Sequence, residues 1–238
     1  MTAFLKNISP FRGNGAVNEK GQSLEEFLEE YDPYKYRNPC VTTDAVVFSY
    51  KNEPVRESRW RVLMIKRGNH PCIGWWALPG GFIHLEENLE DTAKRELEEE
   101  TGVTDLPMEQ IAVYGNLERD PRARVITSVY MAVVEADQVK VRAGDDAADA
   151  LWYDISCRSE VLCAAEKVGE EYRKIHHLKL FNEENGIALT ADVEERGRNG
   201  LICERKFAVL KTDKIACDHG AILVQAWELL ESRMQRKA

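Results

Sequence analysis

The stretch from Gly80 to Val103, GGFIHLEENLEDTAKRELEEETGV, dictates an acidic helix entered and left through glycine turns. Asn88 is placed to cap its start, Asp91 three residues on is placed to reach back to a free backbone N–H, and Glu90 and Asp91 set negative charge in the positive first turn. Gly102 supplies the left-handed stop. At about 100° per residue, Leu89, Ala93 and Leu97 run along one flank as a core stripe, while Glu96, Glu99 and Glu100 fall within about 100° of arc beside it. Three carboxylates thus share one edge of the buried face.

A solvated helix pairs such charges, because like charges three and four residues apart cost roughly 0.2–0.5 kcal/mol per pair. Glu90 with Lys94 and Asp91 with Arg95 are expected pairs. The triplet Glu98-Glu99-Glu100 is followed only by Thr101, Gly102, Val103 and Thr104, so no basic residue lies within one turn on its C-terminal side. A hard divalent cation, Mg²⁺ or in its place Mn²⁺, would neutralise it through oxygen ligands. A solvated acidic face fits the same charge pattern.

Gly81, then Glu87 after five residues, then Arg95-Glu96-Leu97-Glu98-Glu99-Glu100-Thr101-Gly102-Val103 after seven more, resembles a complete Nudix box with every defining position filled. Trp76-Ala77-Leu78-Pro79-Gly80 resembles the usual approach to that box, and similar segments run from about Val41 to Asp154. The resemblance implies a metal-dependent hydrolase of nucleoside diphosphates linked to another group. It implies that Glu96, Glu99, Glu100 and the carbonyl of Gly80 hold metal, and that Glu87 and Arg95 brace loop and helix. The catalytic set on this reading is Glu99, Glu100, Glu96, Arg95 and Glu87.

With 238 residues, 44% of them hydrophobic, the chain can bury a proper core as one large domain or two small ones. No run approaches the roughly 18 apolar residues of a membrane span, and the start MTAFLKNISPFRGNG has no apolar signal region. The six cysteines form no C-x-x-C pair and no zinc-finger spacing, which points to reduced thiols and a cytoplasmic location. A net charge of −9 opposes nucleic acid as a partner and suits a site that takes up cations before phosphates.

Residues 1–38 read as an N-terminal arm with one short helix. Ser23 and Glu26 make a capping box, and Leu24, Phe27, Leu28 and Tyr31 recur at helical spacing up to Asp32-Pro33. Residues 39–155 read as the core. There VTTDAVVFSY (41–50) and RVLMIKR (61–67) are a strand and its hairpin partner, and further strands cover Ile111–Tyr114, 124–134 and 151–155. Trp76 anchors the Pro-Gly-Gly turn in the core, and Trp75 is the aromatic that could stack on a base. Arg119-Asp120-Pro121-Arg122 offers two guanidinium forks suited to diphosphate or ribose oxygens, and it resembles the corresponding loop of Nudix proteins related to ADP-ribose pyrophosphatases and NAD-metabolism regulators. Asp145, Asp146 and Glu118 stand beside the box glutamates as candidates for the general base.

Residues 156–217 read as an inserted helix (156–173) and a three-stranded meander whose turns carry Asn185-Gly186 and Asn199-Gly200. Adjacent His176 and His177 on a strand point to opposite faces and cannot chelate together. Residues 218–238 read as a terminal helix capped by Asp218. The expected fold is α/β (α+β), a Nudix-like α/β/α sandwich: a mixed sheet between the box helix and the C-terminal helix, plus the extra meander. The expected function is Mg²⁺-dependent cleavage of a small-molecule nucleotide, ADP-ribose or a related nucleotide sugar. A non-cleaving sensor and a triphosphate pyrophosphohydrolase are the alternatives; the meander in place of a helix-turn-helix, and the few residues after the last helix, oppose a DNA-reading regulator. A homodimer paired through Ser23–Tyr36 is expected, as the resemblance implies for related pyrophosphatases.

Overall fold

The computed structural model describes residues 4–144, 147–165, 167 and 169–235. Two compact units divide it, Met1–Pro39 and Cys40–Ala238. In the first, α1 (Leu24–Glu30) begins at a complete capping box: Ser23 Oγ accepts from Glu26 N–H at 3.2 Å, and Glu26 accepts from Ser23 N–H at 2.8 Å. No residue of α1 is buried.

The second unit is one mixed sheet with a helix on each face. Its strands are β1 (Cys40–Tyr50), β2 (Trp60–Arg67), β3 (Trp76–Ala77), β4 (Gly80–Phe82), β5 (Glu109–Tyr114), β6 (Val125–Glu135), β7 (Ala147–Cys163), β8 (Glu171–Asn182), β9 (Ile187–Arg198) and β10 (Glu204–Asp213). The order is β10-β9-β8-β7-β2-β1-β6-β5, with β3 on β2 and β4 on β1. β1 and β6 are parallel along their full length, and the other pairs are antiparallel.

β1 is buried without a break from Thr42 to Ser49 because both of its faces are covered. Ala45 and Val47 meet Leu97 of α2 (Leu89–Thr101) on one face, together with Leu63, Val103, Ala132 and Val134. Val46 and Phe48 face the other way, into a cluster with Ile222, Leu223, Trp227 and Leu230 of α3 (His219–Gln235). Strand alternation thus sends neighbouring residues to opposite helices, and the sandwich expected from the sequence is the fold observed. Trp76 is buried edge-on against Tyr153 at 5.0 Å, which fixes the entry to the Pro79-Gly80 turn.

Among the described residues, the helix expected over 156–173 is absent. β7 runs through Asp154 without a break to Cys163, pairing with β8 from Asp154↔Phe181 to Cys163↔Arg173. Helix-forming residues such as Arg158, Glu160, Leu162 and Arg173 are overridden there by pairing between neighbouring strands, and propensity is a weak prior against tertiary context. A boundary at 155/156 therefore falls inside a strand. β8, β9 and β10 extend the sheet and bury Leu178, Leu180, Leu189, Ala191, Val193 and Phe207 in the cluster beneath α3. All six cysteines are free, and among the described residues no helix is long and apolar enough to cross a membrane.

Candidate active site

The box helix starts at Asn88, whose backbone is extended as an N-cap requires, but the Asn88 side chain makes no cap bond. It donates to the Asp91 carboxylate instead, at 2.9 Å, so the capping expected of this pair is replaced by a side-chain bridge. At the other end Gly102 adopts φ 70°, and its N–H donates to Glu98 O at 2.7 Å, which closes the helix with the left-handed stop that glycine adopts without penalty. Between them Thr92, Ala93, Leu97, Glu100 and Thr101 are buried.

Arg95 is the hub of the helix edge. It does not pair with Asp91. Its Nε and Nη2 grip both oxygens of Glu87, at 2.8 and 3.1 Å, its Nη1 donates to Glu96 and Glu99, each at 2.8 Å, and its Nη2 also reaches Phe82 O at 3.1 Å. The partner that the sequence lacks after the triplet therefore comes from four residues before Glu99. Arg95 first and Thr92 second hold the Glu87 carboxyl down at about 2. Glu87 and Arg95 tie the loop after β4 to the helix while one oxygen each of Glu96 and Glu99 stays without a donor among the described residues.

Glu100 is held differently. It is 8% exposed, and among the described residues the single donor to its side chain is the backbone N–H of Gly80 at 2.8 Å. Burial pushes its carboxyl up to about 8, against the pull of that N–H, and the neighbouring Glu96 and Asp44 charges push it further. Burial likewise raises Glu96, with Arg95 opposing. The glycines make this approach possible: a Cβ on Gly80 would sit 2.0 Å from Thr43 O, and one on Gly81 would sit 2.5 Å from the Glu96 carboxylate.

A cleft of about 370 Å³ opens over these carboxylates. Gly80, Glu96, Glu99 and Glu100 line one side, and Arg119, Asp120 and Arg122 line it from the loop between β5 and β6. Arg119 is clamped by Asp218 through Nε at 2.9 Å and Nη2 at 3.0 Å, and Asp44 lies 3.7 Å away. Arg122 forks onto Asp120 and lies over the Phe82 ring, 5.3 Å from its centre. Trp75 is 37% exposed and does not line this cleft, and Glu118 lines a separate cleft on the far side of Arg119, with Leu117 and Phe207. Asp145 and Asp146 lie outside the described residues.

The sequence profile of the NUDIX domain matches residues 38–175, well over half of the chain. The chain belongs to the Nudix family. An ADPR-responsive transcriptional repressor NtrR of Acinetobacter baylyi is 40% identical over 114 residues, which span 47% of this chain but only 44% of the repressor. An ADP-ribose pyrophosphatase of Methanocaldococcus jannaschii is 33% identical over 153 residues, 63% of this chain and 84% of that protein. Among solved structures, a MutT/nudix family protein of Enterococcus faecalis superposes with a TM-score of 0.65 at 29% identity, covering 90% of this chain and 71% of its own. The NUDIX domain of Shewanella oneidensis NrtR, solved with ADP ribose, gives 0.50 at 34% identity over 56% of this chain and 84% of its own.

Among the residues of this Nudix cleft that the sequence does not mark as site residues are Asp44 and His219. Asp44 is buried in β1 and accepts from Thr127 Oγ1 at 2.7 Å. A lone acid inside VTTDAVVFSY was a visible signal, since a buried carboxylate needs a partner or a purpose. His219 lines the cleft too, and its Nδ1 accepts from Leu78 N–H at 2.9 Å. No local pattern marks that contact, because 141 residues separate its partners.

Proposed function

We propose that this protein is a Nudix pyrophosphohydrolase that uses a divalent cation, Mg²⁺ by choice and Mn²⁺ as a substitute, to cleave a nucleoside diphosphate linked to another group, ADP-ribose foremost. The observation that carries this reading is the convergence of under-partnered carboxylates and two arginines on one cleft. The second oxygens of Glu96, Glu99 and Glu100 have no donor among the described residues, and burial disfavours the charged form of Glu100 in the absence of a cation. Hard oxygen donors in that state fit a small divalent cation.

When bound, such a cation supplies charge neutralisation for the diphosphate and lowers the pKa of water. Glu96, Glu99, Glu100 and the Gly80 carbonyl would hold it, and Glu87 and Arg95 keep that set in register. Arg119 and Arg122 orient the diphosphate, with Asp218 and Asp120 fixing their forks. A box glutamate, Glu99 or Glu100, takes the proton of the attacking water; Glu118, facing another cleft, is poorly placed for it. Water adds at one phosphorus and the bridging oxygen leaves with the other phosphate, so ADP-ribose gives AMP and ribose 5-phosphate.

The NtrR relatives favour a second reading, a module that binds ADP-ribose as a signal without cleaving it. A Mg²⁺-dependent screen across dinucleotides, nucleotide sugars and triphosphates, with product identification, separates the readings. AMP from ADP-ribose supports the first, pyrophosphate plus a monophosphate moves the substrate to a triphosphate, and tight binding without products selects the sensor. The assembly proposed is a homodimer paired through Ser23–Tyr36, where Phe27, Tyr31, Tyr34 and Tyr36 are exposed. Light scattering on the full chain and on a chain starting at Pro39 tests it, and a full-length monomer refutes it.

A further inference from the structure

His219 stands at the first turn of α3, between the two walls of the cleft. Its Nδ1 accepts the Leu78 backbone N–H at 2.9 Å. An amide can only donate, so Nδ1 holds its lone pair toward Leu78 and the neutral ring carries its proton on Nε2. The residue is 8% exposed, yet it lines the cleft, and among the described residues no acceptor is bonded to Nε2. Nor does Nε2 belong to the buried atoms left without a partner, which are Thr43 Oγ1, Ser49 Oγ, Tyr153 OH and Trp227 Nε1. The free nitrogen therefore meets the open space of the cleft.

Its surroundings hold it there. Asp218, the preceding residue, is clamped in two places by Arg119, and Leu78 lies two residues before Gly80, whose N–H holds Glu100. The start of α3 is thus bolted both to the arginine loop and to the segment that carries the carboxylate donor. A ring fixed through Nδ1, on a helix start fixed through Asp218, with its other nitrogen open to a cleft lined by carboxylates and guanidiniums, has much of its conformational cost met before a ligand arrives.

We propose that His219 is a substrate-contacting residue whose Nε2–H donates to an oxygen of the bound diphosphate, with the Leu78 amide fixing the tautomer that makes it a donor. The proton on Nε2 also bars that nitrogen from serving as a metal ligand while the Leu78 bond stands. The proposal rests on the diphosphate reading above and adds a contact that the box does not contain.

Two variants separate the donor role from a merely structural one. His219→Asn keeps an oxygen near Nδ1 to accept from Leu78 but has no N–H at the position of Nε2. His219→Gln places an amide N–H near Nε2 and loses the acceptor for Leu78. With ADP-ribose, or the nucleotide turned over fastest in the screen, and Mg²⁺, His219→Asn is expected to keep the melting temperature of the wild type. It should lose about ten- to a hundred-fold in kcat/KM, the range of a hydrogen bond to a charged oxygen. His219→Gln is expected to melt lower yet stay within a few-fold of wild-type kcat/KM. A fully active His219→Asn overturns the donor, and so does loss of activity in both variants that follows their loss of stability. A wild-type protein that neither binds nor cleaves any nucleotide in Mg²⁺ overturns the diphosphate reading itself, which distinguishes the two failures.

Discussion

Glu100 and Glu195 are both buried glutamates, 8% and 0% exposed, and they have opposite fates. Glu195 accepts from Tyr172 OH at 2.7 Å and Arg205 Nε at 2.6 Å, meets His176 Nε2 at 3.0 Å, and has Lys174 at 3.4 Å. Burial alone pushes its carboxyl up, but the bonds from His176, Arg205 and Tyr172 together bring it well below the ordinary range. Glu100 has one backbone donor and is left high, at about 8. By proximity alone His176, Glu195 and Glu228 would pass for a metal cluster, since their ligand atoms lie within 4.8 Å of one another. Arg205 nevertheless bonds both glutamates, and Lys174 lies 3.4 and 3.9 Å from them. That cluster already contains its cations. A candidate site is marked by charge left without a partner, and a count of acids does not reveal it.

The largest effect that can break this contrast is on turnover. Glu100→Gln and Glu99→Gln keep side-chain volume while weakening cation binding or base function, and kcat in Mg²⁺ is expected to fall about 10²–10⁴-fold. The Glu100 variant should unfold at about the same denaturant midpoint, because a neutral amide oxygen can accept the Gly80 N–H as the buried carboxyl does. Activity within a few-fold of wild type for both variants would sink the assignment. Glu195→Gln should behave in reverse. Its loss leaves Arg205 and Lys174 with Glu228 as their remaining counter-charge, a defect on the order of 3 kcal/mol in unfolding free energy, with kcat nearly unchanged.

The same pair predicts opposite pH dependence in chelator-treated protein. Glu100 has a folded pKa above its ordinary 4.5, so the folded state binds the extra proton. Its contribution is fully present below about pH 4.5 and is lost as pH rises toward 8. Glu195 is lowered, so its contribution is present above the ordinary carboxylate range and is lost as the solution is acidified below it. Denaturant titrations across pH 4.5–8 should show a decline that Glu100→Gln abolishes and Glu195→Gln does not. Adding Mg²⁺ should release a proton at pH 7, and calorimetry in buffers of different ionisation enthalpy reads that directly; equal heats in all buffers would argue against cation binding at Glu100.

Much of this was legible locally. The helix of the box, its glycine stop at Gly102 and the paired strands β1 and β2 all lie in the period of their apolar residues, where neighbours in sequence are neighbours in space. The meander was legible through its turns for the same reason. What escaped is long-range. Residues 156–163 and 171–173 are strand because β7 and β8 pair, which no helix-forming composition discloses. Arg119 meets Asp218 across 99 residues, and Leu78 meets His219 across 141. Spacing located the three box glutamates on one helix edge, but only the fold separates Glu100, held by a single amide, from Glu99, which shares Arg95.

The smallest expected effects come from the two arginines, and they sharpen the contrast on the cationic side. Both line the cleft, but Arg119 is a closed residue and Arg122 an open one. Arg119 is buried between Asp218 and Asp44, so Arg119→Ala strands two carboxylates and should lower stability as well as binding. Arg122 is exposed, with Asp120 as its fork partner and the Phe82 ring beneath it. Removing it costs the protein little, since exposed ion pairs contribute about 0–1 kcal/mol. A substrate oxygen can compete for that fork because Asp120 is only two residues away and yields without disturbing the core. Arg122→Ala is therefore expected to raise KM severalfold with kcat and melting temperature close to wild type, the pattern of lost uniform binding. Arg119→Ala should raise KM together with a lower melting temperature. If KM for the best substrate is unchanged in Arg122→Ala, its guanidinium does no more than fold the loop over Asp120, and of the two arginines only Arg119 is left to contact the diphosphate.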